Sequence, residues 1–418
     1  MYRLGITFII AMVVMSMNAQ DSLRRAQIDS ITYKQYLNKD YKNLVETSKK
    51  AHEQNIDFYY LNYRTAIAYY ELKNYAKAAE FYKKTLSETP TDPALQESLY
   101  YSYLLSGQKE NANITAKSLA PHAQAAIGYK PSAVDYVSLS GGYMINENKP
   151  NIQGGFSGLD SLNQYQDMAF TAFGIGFKLS DRTKLKLGYQ LYSTQFQGSK
   201  SGRLLKEDNL SQHQLVGALE FFTKNNVTLG LAGGYYNIET IGGNLSSIEN
   251  KTSAYSLLAF LNKRFTYTIP EIAVAYSNFG GWDQYQAKVS FTYYPLGNLD
   301  FYGTTGAVYI YNQNTWREPQ VVFAQSLGVK VAKQLWLDGN ISIGNHLNYI
   351  TERSFLVYDT YDPVKVIARL SLSYFFKKTM IAAGYQWQQR EGYAYSSTSS
   401  TTYKYNNQLF NLALSWNF

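Results

Sequence analysis

The carboxyl-terminal segment of the chain alternates between large apolar side chains and small or polar ones. Phe410, Leu412, Leu414, Trp416 and Phe418 share one parity, and the positions between them hold Asn, Ala, Ser and Asn. Side chains of a β-strand point alternately to its two faces. The segment therefore predicts a strand with one apolar face and one small, polar face.

The same period of two runs through residues 134–418 and divides them into about fourteen segments. The connections between these segments alternate in length. The short ones lie at 180–183, 224–226, 295–298, 333–334 and 377–378, and the long ones at 147–166, 197–208, 239–251, 347–362 and 391–402. Short turns on one side and long loops on the other are typical of bacterial outer-membrane barrels. We therefore expect an antiparallel transmembrane β-barrel of about fourteen strands over residues 134–418.

The composition agrees with a barrel. Aromatic residues make up 16% of the 418 residues and 40 residues are Tyr, yet the mean hydropathy is only −0.32. Beyond residue 17 no apolar run is long enough for a spanning helix. A transmembrane barrel needs apolar residues on only one face of each strand. The net charge of +8 comes without a compact basic run, so we expect no nucleic-acid partner. The chain has no Cys, which excludes disulfides and a lipid-modified Cys.

Residues 1–19 have the pattern of a secretory signal peptide. Arg3 supplies the positive end, residues 4–17 are largely apolar, and Ala19 is a small residue at the expected cleavage point. The apolar part is shorter than the roughly 20 residues that span a bilayer. The alternative is a retained anchor helix. We expect a signal peptide and a mature chain that begins near Gln20, outside the cytoplasm.

Residues 20–120 are helical in pattern and contain a repeat with a spacing of about 34 residues, in which Tyr41, Tyr75 and Lys109 align. The middle copy, which ends at Pro90, resembles the tetratricopeptide repeat (TPR), so the resemblance implies a short periplasmic α-solenoid. Small and large residues fill its expected packing positions: Ala66, Tyr69, Ala78, Tyr82, Tyr103 and Ala112. Residues 121–133, which contain Pro121 and Pro131, are the predicted linker to the barrel.

The strand parity places a set of charged side chains inside the predicted barrel. They are Lys178, Lys186, Glu220, Arg264, Glu271, Lys288, Lys330, Asp338 and Arg369. Hairpin geometry predicts three opposite-charge neighbours: Lys330 with Asp338, Lys186 with Glu220, and Arg264 with Glu271. One interpretation is a belt of salt bridges that stabilises a narrow barrel, and the other is a constriction that selects an anionic solute. The inward glycines either leave the lumen open or make room for large neighbours.

The sequence offers little catalytic chemistry. His346 has inward parity next to a long loop that contains Glu352 and Asp359, the arrangement that a rim enzyme would need. A single His at a barrel rim is more often a polar residue at the water line. We find no pattern for a metal ion or a cofactor, and we expect no enzymatic activity.

The whole plan resembles TPR-bearing outer-membrane barrel proteins of Bacteroidota, of which YaiO-like proteins are one group. That resemblance implies an outer-membrane barrel with its TPR domain in the periplasm. It also implies that the segment from Phe410 to Phe418 serves as the signal read by the barrel-insertion machinery. We expect the TPR domain to dock a periplasmic or outer-membrane protein, with the whole chain as an accessory subunit or conduit in envelope assembly or export. A passive or anion-preferring pore and a rim enzyme are the alternatives.

Overall fold

A computed structural model describes residues 24–147, 161–200, 203–204, 208–241, 249–313, 319–350, 362–395 and 400–418. The predicted signal peptide therefore lies outside the described residues. The chain divides into two compact units. The helical unit comprises Met1–Lys130 with Pro295–Leu299, and the barrel unit comprises Pro131–Tyr294 with Asp300–Phe418. Among the described residues no helix is both long and apolar enough to cross a membrane.

The helical unit contains seven helices in its described part. They are α1 (24–37), α2 (Tyr41–Glu53), α3 (Tyr59–Glu71), α4 (Tyr75–Leu86), α5 (Pro93–Leu105), α6 (Lys109–Ser118) and α7 (Pro121–Ala126). Positive φ angles at Asn55, Lys73 and Gly107 end three of them in tight turns. The predicted linker, residues 121–133, is not all irregular, since its first part forms α7. Pro121 is compatible with this helix because it stands in the first turn, where a backbone N–H has no intrahelical partner.

Consecutive helices from α2 to α6 pack against their neighbours along the chain, and α2 to α5 share one apolar cluster. The positions that the sequence assigned to packing lie in this part of the molecule. Ala66, Tyr69, Ala78, Tyr82 and Ala112 are buried, and Tyr103 is partly buried against the cluster. The segment Pro295–Leu299 belongs to the same unit, where Gly297 O accepts a hydrogen bond from Ala76 N at 2.8 Å.

The barrel unit is one antiparallel sheet. Its strands in the described residues are β1 (Val134–Asn146), β2 (Ser161–Ser180), β3 (Thr183–Lys200), β4 (Arg203–Leu204), β5 (Asp208–Phe222), β6 (Val227–Ile241), β7 (Glu249–Lys263), β8 (Thr268–Ser277), β9 (Gln284–Tyr293), β10 (Phe301–Asn312), β11 (Gln320–Ala332), β12 (Leu335–Gly344), β13 (Val364–Phe376), β14 (Thr379–Tyr395) and β15 (Ser400–Asn417).

The sheet closes on itself. Apart from β4, each strand pairs with the strands before and after it, with β3 next to β5, and β1 pairs with β15 from Tyr136↔Asn417 to Asn146↔Asn407. The two-residue β4 pairs only with the end of β3, so fourteen of the described strands form the closed barrel. This confirms the strand number predicted from the period of two.

The two faces of the barrel differ as the alternation predicts. Outward side chains are apolar and exposed, including Leu231 at 63%, Phe323 at 63% and Leu412 at 65%. Tyr255, Tyr276, Tyr285 and Tyr311 form a row of neighbouring rings on this outer face, with successive centroids 5.5–6.5 Å apart. An apolar band with aromatic residues is the exterior of a membrane-spanning barrel.

Candidate functional site

The lumen of the barrel has two halves, which we name by the connections nearest to them. The outer half lies toward the long loops and the inner half toward the short turns. Inward side chains of the outer half are nearly all buried, whereas the charged side chains of the inner half stay partly exposed, except Glu220.

Neutral amides and apolar side chains fill the outer half. The buried amides come from six strands, and each is less than 10% exposed: Asn146, Gln190, Gln212, Gln214, Gln284, Gln286, Gln386, Gln388 and Asn407. Beside them lies a buried apolar cluster of Met144, Met168, Tyr192, Leu210, Ile238 and Leu409. A lumen filled in this way leaves little room for solvent.

Glycines on the inward face make room for large rings. A Cβ at Gly230 would overlap the ring of Phe260, and one at Gly234 would overlap Tyr236. Tyr236 is fully buried, and its hydroxyl lies 2.9 Å from Ser256 Oγ. At these positions the glycines therefore allow the lumen to be filled.

A tight turn from the β12–β13 connection enters the outer half. We call residues 345–350 the plug. Asn348 has a φ of +52°, and Tyr349 N donates to His346 O at 3.2 Å, which closes the turn. Leu347, Asn348 and Ile350 are each no more than 6% exposed. The plug is therefore buried within the barrel unit.

Two glutamines of β9 hold the plug through its backbone. Gln284 Nε2 and Gln286 Nε2 donate to Asn348 O at 2.9 and 3.2 Å. Gln286 Oε1 accepts from Ile350 N at 3.3 Å. Buried backbone groups need such partners, so these amides allow a polar turn to lie inside the barrel.

Apolar contacts complete the seat of the plug. Ile350 packs with Tyr236, Ala254 and Phe279. Tyr349 lies against a second cluster, made of Val308, Ile310 and Val322. These residues come from β6, β7, β10, β11 and the connection between β8 and β9, so the plug links parts of the barrel that are far apart in the sequence.

His346 fixes one end of the plug. Its Nδ1 lies 2.8 Å from Val364 O and 3.1 Å from Gly344 O, so this nitrogen carries the hydrogen. Nε2 then accepts from Ser342 Oγ at 2.6 Å. Burial lowers the pKa of His346, although the two carbonyls oppose that shift. The neutral ring thus joins the plug to β12 and β13.

Ser342 Oγ and His346 Nε2 are as close as a nucleophilic hydroxyl and its general base are in an enzyme. Both side chains are buried, however, so a substrate cannot reach the hydroxyl in this arrangement. Glu352 and Asp359, the other candidates for a rim enzyme, lie outside the described residues. The contacts of His346 within the described residues are those of a residue that positions the plug.

Asp362 lies at the far end of the same connection. Its carboxylate accepts from Tyr405 at 2.8 Å, and its backbone carbonyl accepts from Arg390 at 3.5 Å. Burial raises the pKa of Asp362 to about 6, while Tyr405 and the charge of Arg390 act in the opposite direction. Asp362 and Arg390 were absent from the sequence prediction, because Asp362 lies in a loop and Arg390 ends a predicted strand.

The charges predicted for the lumen line its inner half, and several form ion pairs. Lys186 Nζ lies 2.9 Å from Glu220 Oε1, and Lys288 Nζ lies 3.3 Å from Glu271 Oε1. Lys178 and a lysine not predicted for this set, Lys184, both approach Asp135, at 3.4 and 2.9 Å.

The predicted pair of Lys330 and Asp338 is wrong. A register shift between Lys330 and Ala332 places Trp336 opposite Lys330. Lys330 Nζ instead lies 3.5 Å from Asp300 and 4.9 Å from the centre of the Trp336 ring. Asp338 accepts a hydrogen bond from Tyr302. One extra residue in a strand is enough to change the partner.

The expected pair of Arg264 and Glu271 stays a prediction. The Arg264 guanidinium lies 5.0 Å from the centre of the Tyr294 ring, and Glu271 pairs with Lys288. Arg369, the last predicted charge, donates from Nε and Nη2 to Gln386 Oε1 at 3.0 and 2.7 Å. Arg369 thus contacts Gln386, which is the buried amide of β14 nearest to the inner half.

The residues predicted to form the insertion signal lie on the outer face of β15, except Phe418, which directly follows that strand. Phe410, Leu412, Leu414, Trp416 and Phe418 are each about half exposed or more, between 47% and 65%. Their shared face is the one that the alternation predicts.

The helical unit has a surface rich in tyrosine, which we call the tyrosine face. It consists of Tyr33 and Tyr36 on α1, Tyr60, Tyr63 and Tyr70 on α3, and Tyr101 on α5. Tyr33 is 49% and Tyr60 is 58% exposed. The Arg64 guanidinium lies over both rings, 5.1 and 5.5 Å from their centres, and so ties α1 to α3.

Nothing in the described ranges resembles a metal centre. No group of three or more His, Cys, Asp or Glu side chains converges there. The expectation that the chain needs no metal or cofactor stays a prediction.

The sequence matches no protein-family model and no curated protein. Similar solved structures include a Pseudomonas aeruginosa FadL homologue, at 11% identity over 73% of this chain and 94% of that one, with a TM-score of 0.44. A deletion mutant of the TodX monoaromatic hydrocarbon channel has 9% identity over 70% and 92%, with a TM-score of 0.47. The Ralstonia pickettii toluene transporter TbuX has 10% identity over 69% and 90%, with a TM-score of 0.43.

Identities and TM-scores this low say nothing about a ligand or an activity. The closed antiparallel barrel with its apolar exterior, short turns and long loops is itself an outer-membrane type of fold.

Proposed function

We propose that this chain is an integral outer-membrane barrel whose helical unit docks a periplasmic partner protein. It would act as an accessory subunit or gated conduit in envelope assembly or export. The observation that carries this proposal is the filled outer half of the lumen. A passive pore needs a continuous water path, and the plug with its surrounding amides occupies that path in the described residues.

We further propose that the helical unit is a short TPR solenoid of the kind found in Bacteroidota outer-membrane proteins. Pairwise packing of successive helices and small residues such as Ala66 and Ala78 in the core support this assignment. Solenoid helices leave a face that a partner can cover. The tyrosine face suits such a role, because partly exposed aromatic side chains are enriched at protein interfaces.

The proposal assigns no catalytic role to the chain. His346 and Ser342 serve to position the plug, and their burial supports this role. The proposal also treats the inner-half charges as stabilising pairs rather than as an anion filter. The short distances between Lys186 and Glu220 and between Lys288 and Glu271 support that interpretation.

Co-purification from membranes tests the docking proposal. Protein extracted with mild detergent should carry a specific partner, and a deletion of residues 24–126 should lose it. Because the deletion could also disturb folding, the double substitution Tyr33→Ser with Tyr60→Ser provides a second variant with an unaltered core. An unchanged set of co-purifying proteins in both variants would overturn the docking proposal.

A further inference from the structure

Three lysines stand on two short turns at one side of the barrel. Lys333 lies in the turn between β11 and β12, and Lys377 and Lys378 form the turn between β13 and β14. All three residues are exposed. Within the described ranges none of them forms an ion pair with an Asp or Glu side chain. Their charges are therefore available to a ligand from outside the chain.

The two turns and the end of the last strand are direct neighbours. Phe375 N donates to Gln334 O at 2.8 Å and the Tyr374 hydroxyl donates to Gln334 Oε1 at 3.0 Å, which joins the first turn to the second. Lys378 O accepts from Asn417 N at 2.8 Å, which joins the second turn to β15. Adjacent strands lie about 4.8 Å apart, so the lysines share one short arc of the barrel end. We call Lys333, Tyr374, Phe376, Lys377, Lys378 and Trp416 the basic rim.

Exposed rings lie next to these charges on the outer face. Tyr374, Phe376 and Trp416 are between 42% and 50% exposed. Lys377 Nζ lies 5.3 Å from the centre of the Phe376 ring, and Thr379, the first residue after the turn, pairs with Trp416. The basic rim thus presents ammonium groups beside apolar rings. This combination is typical of the depth at which a membrane protein meets lipid headgroups.

The charge of the segments that build the basic rim favours an anion. Residues 331–337, 370–380 and 409–418 contain three lysines and no Asp or Glu. Even with a terminal carboxylate on Phe418, three lysines and one carboxylate leave these segments a net charge of +2. An anionic ligand is therefore attracted to this arc.

The acidic side chains of the adjoining strands have partners of their own. Asp300, just before β10, lies 3.5 Å from Lys330. Asp135, on β1, is within 3.4 Å of two lysines of β2 and β3. Asp338, on β12, has inward parity and accepts a hydrogen bond from Tyr302. None of these carboxylates neutralises the lysines of the basic rim.

The backbone at Lys377 also indicates a role for its side chain. Phe376 pairs with Thr379, so the turn has only two residues, and Lys377 has a φ of +52°. Gly and Asn adopt this conformation most easily in such turns. Two other short turns with a positive φ use Asn226 and Gly297. Turn geometry therefore does not account for a lysine at this position, whereas a ligand for its charge does.

We propose that the basic rim binds an anionic phospholipid of the membrane leaflet next to the short turns. The lysine ammonium groups pair with the charged headgroup, and the acyl chains lie along the rings of Phe376 and Trp416. Lysines close to a membrane surface attract anionic lipids, and aromatic side chains anchor a protein at this depth. The inference goes beyond docking by the helical unit and does not depend on it.

Fluorescence quenching by brominated lipids tests this inference, because bromine on an acyl chain quenches a tryptophan that it contacts. The full-length protein is placed in phosphatidylcholine vesicles with a small fraction of brominated phosphatidylglycerol, which is anionic, or of brominated phosphatidylcholine, which has no net charge. The quenching that Trp416→Phe loses is the signal of Trp416. We expect brominated phosphatidylglycerol to quench Trp416 at least about threefold more strongly at low salt, a preference that added salt reduces.

Substitutions locate the site. Lys377→Asn combined with Lys378→Gln should remove most of the preference for phosphatidylglycerol. Asn suits the positive φ at position 377, so this variant should fold as well as the wild type. The matched control combines Lys224→Gln with Lys263→Gln, which removes two exposed charges from the short-turn side near β5, β6 and β7. The control should keep the preference, because its lysines lie outside the basic rim.

A soluble headgroup distinguishes a lipid site from a site for a free anion. Glycerol phosphate should relieve the quenching no more than sodium chloride of equal ionic strength, because it lacks the acyl chains that contact the rings. Equal quenching by the two brominated lipids, equal loss of preference in the two double variants, or full displacement by glycerol phosphate would overturn the inference. Co-purification of a partner is unaffected by each of these outcomes, so the docking proposal stands or falls separately.

Discussion

The outer and inner halves of the lumen are built on the same strands but solve the problem of polar residues inside a barrel differently. The outer half uses neutral amides, and these are buried against one another, the plug and an apolar cluster. The inner half uses lysines and carboxylates, which form ion pairs and keep part of their surface in water.

The difference follows from the cost of burial. A buried amide needs hydrogen bonds, and the plug backbone supplies several of them. A buried charge costs far more, so most of the charged side chains stay where water can reach them. The buried exceptions are Glu220 in the inner half and Arg390 with Asp362 in the outer half. The residue types on the inward face therefore decide which end of the barrel is closed.

The largest expected effect comes from removing the plug. Replacing residues 346–350 by a Gly-Ser linker of equal length removes the His346 side chain, which fixes the turn, and the apolar contacts of Ile350. Without these side chains, the backbone groups that bond to Gln284 and Gln286 are no longer held in place. We expect stepwise conductance in planar lipid bilayers, where the wild type shows none. Lys288→Gln in the inner half is the matched control and should remain silent. Steady conductance of the wild-type protein would refute the closed outer half and favour the passive pore.

Truncating a ring in the outer half should cost the most stability among single substitutions. Tyr236 is fully buried and bonded to Ser256, so Tyr236→Ala should lower the free energy of unfolding by about 3–5 kcal/mol. Ser371→Ala on the inner half should change it by less than about 0.5 kcal/mol. Urea unfolding from lipid vesicles, followed by tryptophan fluorescence, measures both. Equal losses would mean that the two halves are packed alike.

The outer half should also respond to pH through Asp362. Because burial raises the pKa of Asp362 from 3.8 to about 6 in the folded state, the folded chain holds this proton more tightly than the unfolded chain. Tighter binding of this proton stabilises the folded chain. That contribution to the free energy of unfolding is fully present below pH 3.8 and is lost as the pH rises through about 6.

Asp362→Asn cannot ionise, so its free energy of unfolding should not fall in this pH range. The difference in free energy of unfolding between Asp362→Asn and the wild type should therefore be roughly 1–3 kcal/mol larger, in favour of the variant, above about pH 6 than below pH 3.8. The free energy of unfolding of both proteins as a function of pH checks this. Parallel curves for the two proteins across this pH range would show that Asp362 is not buried as described.

The smallest effect is expected for the inner-half ion pairs. Lys288 is 39% exposed in its pair with Glu271, so Lys288→Gln should cost no more than about 1 kcal/mol. Because exposed pairs are screened, the difference from the wild type should shrink in high salt. A cost as large as that of Tyr236→Ala, independent of salt, would contradict a wet inner half.

The alternation of the sequence predicted the barrel, because each outward residue must be apolar and each inward residue can be polar. Leu412 and Arg369 both lie on the faces that their parity assigns. The ion-pair partners could not be predicted as well, since a single register shift moved Trp336 opposite Lys330.

The plug was not predicted. Its residues look like part of a long loop, and their partners Gln284 and Gln286 lie more than 60 positions earlier in the chain. The only local signal is Asn348, a residue type that tolerates the positive φ of a tight turn. Nothing in that signal tells whether the turn points into the lumen or into solvent.

The accessibility of single cysteines measures the central contrast most directly, because the wild-type chain has none. Ser277→Cys places a thiol at a fully buried position of the outer half, and Ser290→Cys places one on an inward, partly exposed position of the inner half. In lipid vesicles, with a water-soluble maleimide on both sides, we expect Ser290→Cys to react readily and Ser277→Cys to react only after unfolding. Equal reaction rates in the folded protein would contradict a lumen that is closed at one end and wet at the other.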